Sequence, residues 1–128
     1  MEGSCHCGQV RWRFEGVPQS ATTCNCSTCR RYGALWAYGC EGEEIAVSGP
    51  TQTYVWHRRW LAFHFCPSCA NVAYWRQSEP GHDGRRRMGV NLRLAEPEAV
   101  AAIALRHHVT ETMNDLPLDG MRVSDVWA

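Results

Sequence analysis

A chain of 128 residues with 13 arginines, no lysine and 13 acidic side chains carries no formal net charge. That balance argues against a general attraction to nucleic acid or to a membrane surface. No apolar run approaches membrane-spanning length, and 128 residues suit a single domain, 1–128. The opening Met1-Glu2-Gly3-Ser4 lacks the charged and apolar regions of a signal peptide, so a cytoplasmic location is expected. In a reducing compartment the eight cysteines favour metal thiolates over disulfides. The exclusive use of arginine reads as codon bias for the chain as a whole, although a guanidinium fork also suits carboxylate recognition.

The first element expected is a strand, in which Val10, Trp12 and Phe14 alternate with Arg11, Arg13 and Glu15 until Gly16-Val17-Pro18 ends it. Ala34–Tyr38 follows a cysteine-rich loop and reads as a strand of small and aromatic residues. Glu44–Val47, Thr51–His57 and Leu61–Phe65 are short strand candidates, separated by Ser48-Gly49-Pro50 and by Arg58-Arg59. Val72–Arg76 and Met88–Leu94 add two more, with Ser78–Arg87 between them as an exposed loop. The expected class is therefore mainly β, built from short antiparallel strands. One helix is expected, over 97–105, where Pro97 suits a first turn and alanines dominate.

Seven cysteines fall into three clusters: Cys5-His6-Cys7, Cys24-Asn25-Cys26-Ser27-Thr28-Cys29 and Cys66-Pro67-Ser68-Cys69. Their number divides as four plus three, matching a closed structural zinc site and a catalytic site with an open position. Joining Cys5 and Cys7 to Cys66 and Cys69 would cross-link distant parts of the sheet. Cys24, Cys26 and Cys29 share one loop and converge without outside help. That second site is either open to a thiol, water or carbonyl, or closed by His6, His57 or His64 as Cys3His. A zinc ribbon from Cys26-x-x-Cys29 and Cys66-x-x-Cys69 is a further partition, with an unusually long insert.

Gly3-Ser4-Cys5-His6-Cys7-Gly8-Gln9-Val10, Cys24-Asn25-Cys26-Ser27-Thr28-Cys29-Arg30-Arg31 and Phe65-Cys66-Pro67-Ser68-Cys69 together resemble the glutathione-dependent formaldehyde-activating enzyme family, also called the centromere protein V family. Val90-Asn91-Leu92 adds to the likeness, which runs from about Gly3 to Leu105. The resemblance implies an Mss4-like β-tent stapled by zinc and two zinc ions per chain, one structural and one catalytic and open to exchange. By resemblance Cys5, Cys7, Cys66 and Cys69 hold the structural zinc, while Cys24, Cys26 and Cys29 hold the catalytic one. The implied activity is of the carbon–sulfur lyase type, forming S-(hydroxymethyl)glutathione from glutathione and formaldehyde. The chain departs from the family at Ala70, where glycine is usual and a left-handed turn is expected. Cys40 lies outside every motif and reads as a small buried core residue.

Three thiolates leave a zinc site with a formal charge of minus one, which favours binding the substrate thiol over polarising a carbonyl. Arg30 and Arg31 are candidates to hold the carboxylates of a glutathione-like substrate. His57 and His64 are acid–base candidates only if they reach the metal; otherwise each is a packed strand histidine. Trp36, Tyr38, Tyr74 and Trp75 are either cleft lining or, more in keeping with half-buried strands, core and rim. Arg85-Arg86-Arg87 is too short a run to imply nucleic acid. The expected partners are thus a small thiol such as glutathione and an aldehyde, without nucleic acid or membrane, in a monomer or homodimer. The competing reading is a zinc-stabilised binding module without catalysis, or a related enzyme with a different thiol.

Overall fold

The structure is a computed structural model that describes residues 1–56 and 59–126. His57 and Arg58 lie outside the described residues, and with them the acid–base assignment offered for His57.

Among the described residues, eleven strands form two sheets. The smaller has the order β1–β2–β5, from Glu2–Ser4 (β1), Arg11–Phe14 (β2) and Ile45–Ser48 (β5). The larger contains Ser20–Cys24 (β3), Trp36–Cys40 (β4), Gln52–Trp56 (β6), Leu61–Phe65 (β7), Val72–Gln77 (β8), Arg87–Asn91 (β9), Ala104–Val109 (β10) and Asn114–Arg122 (β11). Its order is β11–β10–β3–β4–β9–β8–β7–β6. Every pairing between these strands is antiparallel except β3 with β10, which is parallel and amends the expectation of a wholly antiparallel sheet. No helix of the described residues is long and apolar enough to cross a membrane.

Period-two alternation decides what each sheet face carries. Val10, Trp12, Phe14 and Ile45 of the smaller sheet and its approach pack onto Ala21, Ala37, Tyr74, Met88, Val90 and Leu105 of the larger one, forming the main core. The opposite face of the larger sheet is aromatic. There Trp36 and Phe63 are buried with Cys29, flanked by Tyr32, Trp56 and Trp75. Gly89 belongs to this face, because a Cβ there would lie 2.4 Å from Trp75 Nε1 and 3.1 Å from a Tyr38 ring carbon. Its missing side chain lets Tyr38 and Trp75 meet edge to face, with centroids 5.9 Å apart.

Among the described residues, two short α-helices flank the strands. Cys29–Tyr32 (α1) is a single turn that closes on Gly33 at φ 61, and Tyr32 docks on Phe63 with centroids 5.2 Å apart. Pro97–Val100 (α2) begins where expected but ends after four residues. The expectation of helix through 105 is corrected: Ala104 and Leu105 open β10, where Leu105 is buried opposite Ala21. Alanine-rich propensity yields here to burial against a neighbouring strand. Ser78–Arg87 is the expected loop up to Arg86, with Arg87 starting β9. Its arginines are spent within the chain: Arg85 on Glu43, Arg86 on Glu41 and the Gln77 and Ser78 carbonyls, Arg87 on Asp83.

Candidate metal centres

Cys5 and Cys7 occupy the turn between β1 and β2, and Cys66 and Cys69 the turn between β7 and β8. Each turn is closed by its own backbone. In the first, Cys5 N–H donates to Val10 O at 2.9 Å and Gly8 N–H to Cys5 O at 2.9 Å. In the second, Ala70 N–H donates to Cys66 O at 2.9 Å and Cys66 N–H to Asn71 O at 3.0 Å. Two bonds tie the turns together: His6 N–H to Asn71 Oδ1 at 2.8 Å and Ser68 Oγ–H to Gln9 Oε1 at 3.2 Å.

These ties bring all four sulfurs within 4.8 Å of one another. Cys5 and Cys7 Sγ are 3.6 Å apart, and Cys7 and Cys66 Sγ 3.5 Å. A tetrahedral zinc with bonds of about 2.3 Å would space its sulfurs by about 3.8 Å. The donor set therefore fits that ion. Backbone N–H groups also point at the sulfurs, from Val10 to Cys5 at 3.3 Å and from Ser68 to Cys66 at 3.4 Å. The Asn71 and Cys7 N–H groups hold Cys69 down to about 6. For Cys7 the Gln9 N–H acts in the same direction, but desolvation and the hydrogen bonds with Cys66, Cys5 and Cys69 outweigh it and push the thiol up to about 11. Such a set shares protons that a dication displaces on binding.

Ala70 adopts φ 65, the left-handed turn expected at this departure from the family pattern. A Cβ in that conformation costs about 1–2 kcal/mol. Ala70→Gly removes it but adds about 0.4–1 kcal/mol of unfolded-state entropy. The substitution should therefore stabilise the zinc-loaded protein by about 0.5–1 kcal/mol, read as a raised urea midpoint.

The central cluster is built differently. Cys24 ends β3, Cys26 lies in the following turn and Cys29 opens α1, so one chain reversal gathers three thiols within 4.8 Å. Cys29 N–H reaches Cys26 Sγ at 3.3 Å, Cys26 N–H reaches Cys24 Sγ at 3.5 Å, and the buried Trp36 Nε1–H donates to Cys29 Sγ at 3.4 Å. The hydrogen bond from Cys29 and the Cys26 N–H hold Cys24 down to about 5, whereas the same contact with Cys24, and then burial, push Cys29 far up. No fourth histidine, cysteine or carboxylate among the described residues joins these three. Three thiolates with a free direction are a fitting donor set for zinc that also takes an outside ligand.

The structure separates the other candidates. His64 points to the core side of β7, with Nδ1 2.8 Å from Thr51 Oγ1 and its ring stacked on Tyr74 at 4.5 Å. It is a packed histidine that joins neither sulfur cluster. Burial, aided by the charges of Arg76 and Arg86, holds its pKa down to about 4. Between pH 6.5 and 4 the unfolded chain takes up a proton there that the folded chain refuses. Stability from this group is complete above pH 6.5 and lost as pH falls, by about 3 kcal/mol at most. His64→Gln should flatten the urea stability profile across that window.

Arg30 and Arg31 both project from α1 and are exposed; Arg31 Nη1 donates to Ser27 O at 2.8 Å. Arg31 and Tyr32 line a groove of about 790 Å³ with His6, Asn71, Asn91 and Arg93. Trp36 and Tyr74 are core, whereas Tyr38 is 41% exposed and Trp75 half-buried at the rim. Cys40 is buried, and Glu43 and Glu44 stand within 4.8 Å of it. Those carboxylates are already engaged, Glu44 by Cys40 N–H at 2.7 Å and Glu43 by Arg85. Sequence reasoning missed the β10–β11 turn, whose Thr110 and Glu111 reach the central loop. Its signal was the polar run Thr110-Glu111-Thr112-Met113-Asn114-Asp115, a turn composition without a motif.

Comparison with known proteins agrees with this geometry. The model of the family described as glutathione-dependent formaldehyde-activating enzyme matches residues 1–103. A Halomonas elongata protein, provisionally named a glutathione-dependent formaldehyde-activating enzyme, is 31% identical over 86 residues, 59% of this chain and 54% of its own. The match thus spans about half the length of that relative. The crystal structure of a Rhodobacter sphaeroides protein aligns over 100% of this chain and 96% of its own, with a TM-score of 0.59 and 23% identity, a likeness of fold. With all three cysteine clusters inside the matched residues 1–103, the chain belongs to the glutathione-dependent formaldehyde-activating enzyme family.

Proposed function

We propose that this protein, acting as one domain over 1–128, is a zinc enzyme that joins a small thiol to an aldehyde. The family name points to glutathione and formaldehyde, with S-(hydroxymethyl)glutathione as product and a carbon–sulfur lyase-type activity. The observation that carries the reading is the cluster of Cys24, Cys26 and Cys29, which no fourth described residue closes. In this reading Cys5, Cys7, Cys66 and Cys69 hold a structural zinc, and the central three hold a second.

A zinc bound by the central thiolates would supply a seat for the substrate thiol and lower its pKa. The chain's own groups do the rest. Trp36 Nε1–H and the Cys26 and Cys29 N–H groups fix the sulfurs and spread their negative charge. Arg30 and Arg31 offer cations beside the loop for substrate carboxylates. In the reaction the thiol S–H bond breaks, a sulfur lone pair forms the C–S bond, and the carbonyl oxygen gains the proton. Neither nucleic acid nor a membrane takes part, and the working unit is a monomer or homodimer.

The test combines zinc content with catalysis in anaerobically purified protein. Two zinc ions per chain should fall to one in Cys24→Ser with the circular dichroism unchanged. Glutathione–formaldehyde exchange, followed by NMR, should be faster with wild type than in buffer and return to the buffer rate with Cys24→Ser. One zinc in both proteins, with exchange at the buffer rate, would instead favour a zinc-stabilised binding module.

A further inference from the structure

The register of the larger sheet sets a histidine and an aspartate in line with Cys24. β10 runs parallel to β3 with His108 opposite Cys24, and β11 returns antiparallel with Asp115 opposite His108. Paired residues on neighbouring strands share a sheet face, so Cys24, His108 and Asp115 form one lateral row. Two side-chain contacts fix it. Asp115 Oδ1 lies 2.6 Å from His108 Nδ1, and Thr110, next along that face after His108, brings Oγ1 within 3.7 Å of Cys24 Sγ.

Asn25 locks the hairpin to the cysteine loop. Its N–H donates to His108 O at 3.2 Å, its Oδ1 accepts from Thr110 N–H at 2.9 Å, and its Nδ2–H donates to Glu111 Oε2 at 3.0 Å. A carboxylate on Nδ1 orients the ring and favours the tautomer protonated at that nitrogen, leaving Nε2 as a lone-pair acceptor. Nε2 has no hydrogen-bond partner among the described residues, and the side chain keeps 21% exposure. His108, Thr110, Glu111 and Asp115 lie beyond the residues 1–103 matched by the family model.

We propose that His108, oriented by Asp115, is the proton carrier of the Cys24–Cys26–Cys29 site; the proposal rests on the thiol–aldehyde reading above. Nε2 accepts the proton as the substrate S–H bond breaks. The sulfur lone pair forms the C–S bond while the C=O π pair moves to oxygen, and Nε2 returns the proton to that oxygen. No electron is gained or lost, and His108 ends neutral. Asp115 is a positioning residue.

The experiment compares zinc-loaded wild type, His108→Gln, Asp115→Asn and Asp115→Glu. Glutathione–formaldehyde exchange should fall about 100-fold in His108→Gln, within the usual contribution of acid–base catalysis. It should fall less in Asp115→Asn and recover in part in Asp115→Glu, with zinc content and melting temperature unchanged throughout. In ¹⁵N-histidine-labelled wild type the His108 Nε2 resonance should shift when glutathione is added, and not in Cys24→Ser. Wild-type exchange by His108→Gln overturns the proposal, and so does a rate that falls only in step with lost zinc and lowered melting temperature. Failure of the thiol–aldehyde reading would show separately, as wild type itself exchanging at the buffer rate. The Nε2 response to glutathione then decides, and its absence overturns the proposal.

Discussion

Replacing Cys5 by serine should unfold the chain at 25 °C, and so should removing zinc with a strong chelator. The four sulfurs join the β1–β2 turn to the β7–β8 turn, linking the smaller sheet to the larger one. A structural zinc contributes on the order of 10 kcal/mol of folding free energy. Small domains have about 5–15 kcal/mol in total. Losing the site therefore removes most of the margin, and with it the packing of Trp12 and Phe14 on the larger sheet. Circular dichroism with zinc release monitored in parallel provides the measurement. A Cys5→Ser chain that melts like wild type would show that this cluster is no staple. Cys24→Ser is the contrast, because the central loop is closed by a hydrogen-bonded turn and by aromatic packing.

Gly49→Ala should destabilise the protein by about 4 kcal/mol or more, among the largest effects of single substitutions. Gly49 has φ 97, and a Cβ there would sit 2.0 Å from Gln9 O and 3.0 Å from Val10 Cα. Backbone is the obstacle, so no rotamer relieves it. The displaced segment is the one whose Val10 N–H and C=O hold Cys5, which carries the strain directly into the four-sulfur site. Denaturant unfolding gives the loss of stability, and zinc affinity should drop with it. An alanine variant within 1 kcal/mol of wild type would mean that the β2 and β5 ends can part freely.

Period-two alternation announced β2, where buried and wet residues take turns. β7 lies at Leu61–Phe65 as read, and β2, β5 and β8 differ from their expected bounds by about a residue, while the expected end of β6 at His57 lies outside the described residues. β3 escaped notice because Ser20-Ala21-Thr22-Thr23-Cys24 is small and polar, although Ala21 and Thr22 are fully covered. Burial there comes from neighbouring strands rather than from side-chain hydrophobicity. β11 escaped for the opposite reason: Asn114–Pro117 is exposed at a sheet edge and contains a proline, tolerated where no further strand needs its N–H. Sequence spacing also led to the group of Cys24, Cys26 and Cys29, which share one loop, whereas the joining of Cys5 and Cys7 to Cys66 and Cys69 was implied by the family resemblance. It could not reveal the partners of Asn25, since Thr110 and Glu111 reach it only through the parallel β3–β10 pairing.

That pairing has a consequence for the order in which the protein matures. All four cysteines of the first cluster exist once Cys69 is synthesised, whereas β3 meets β10 only 84 residues downstream. Contacts of such separation form late, after shorter loops have closed. The four-sulfur cluster is thus complete in sequence well before the second centre gains its flanking strand β10.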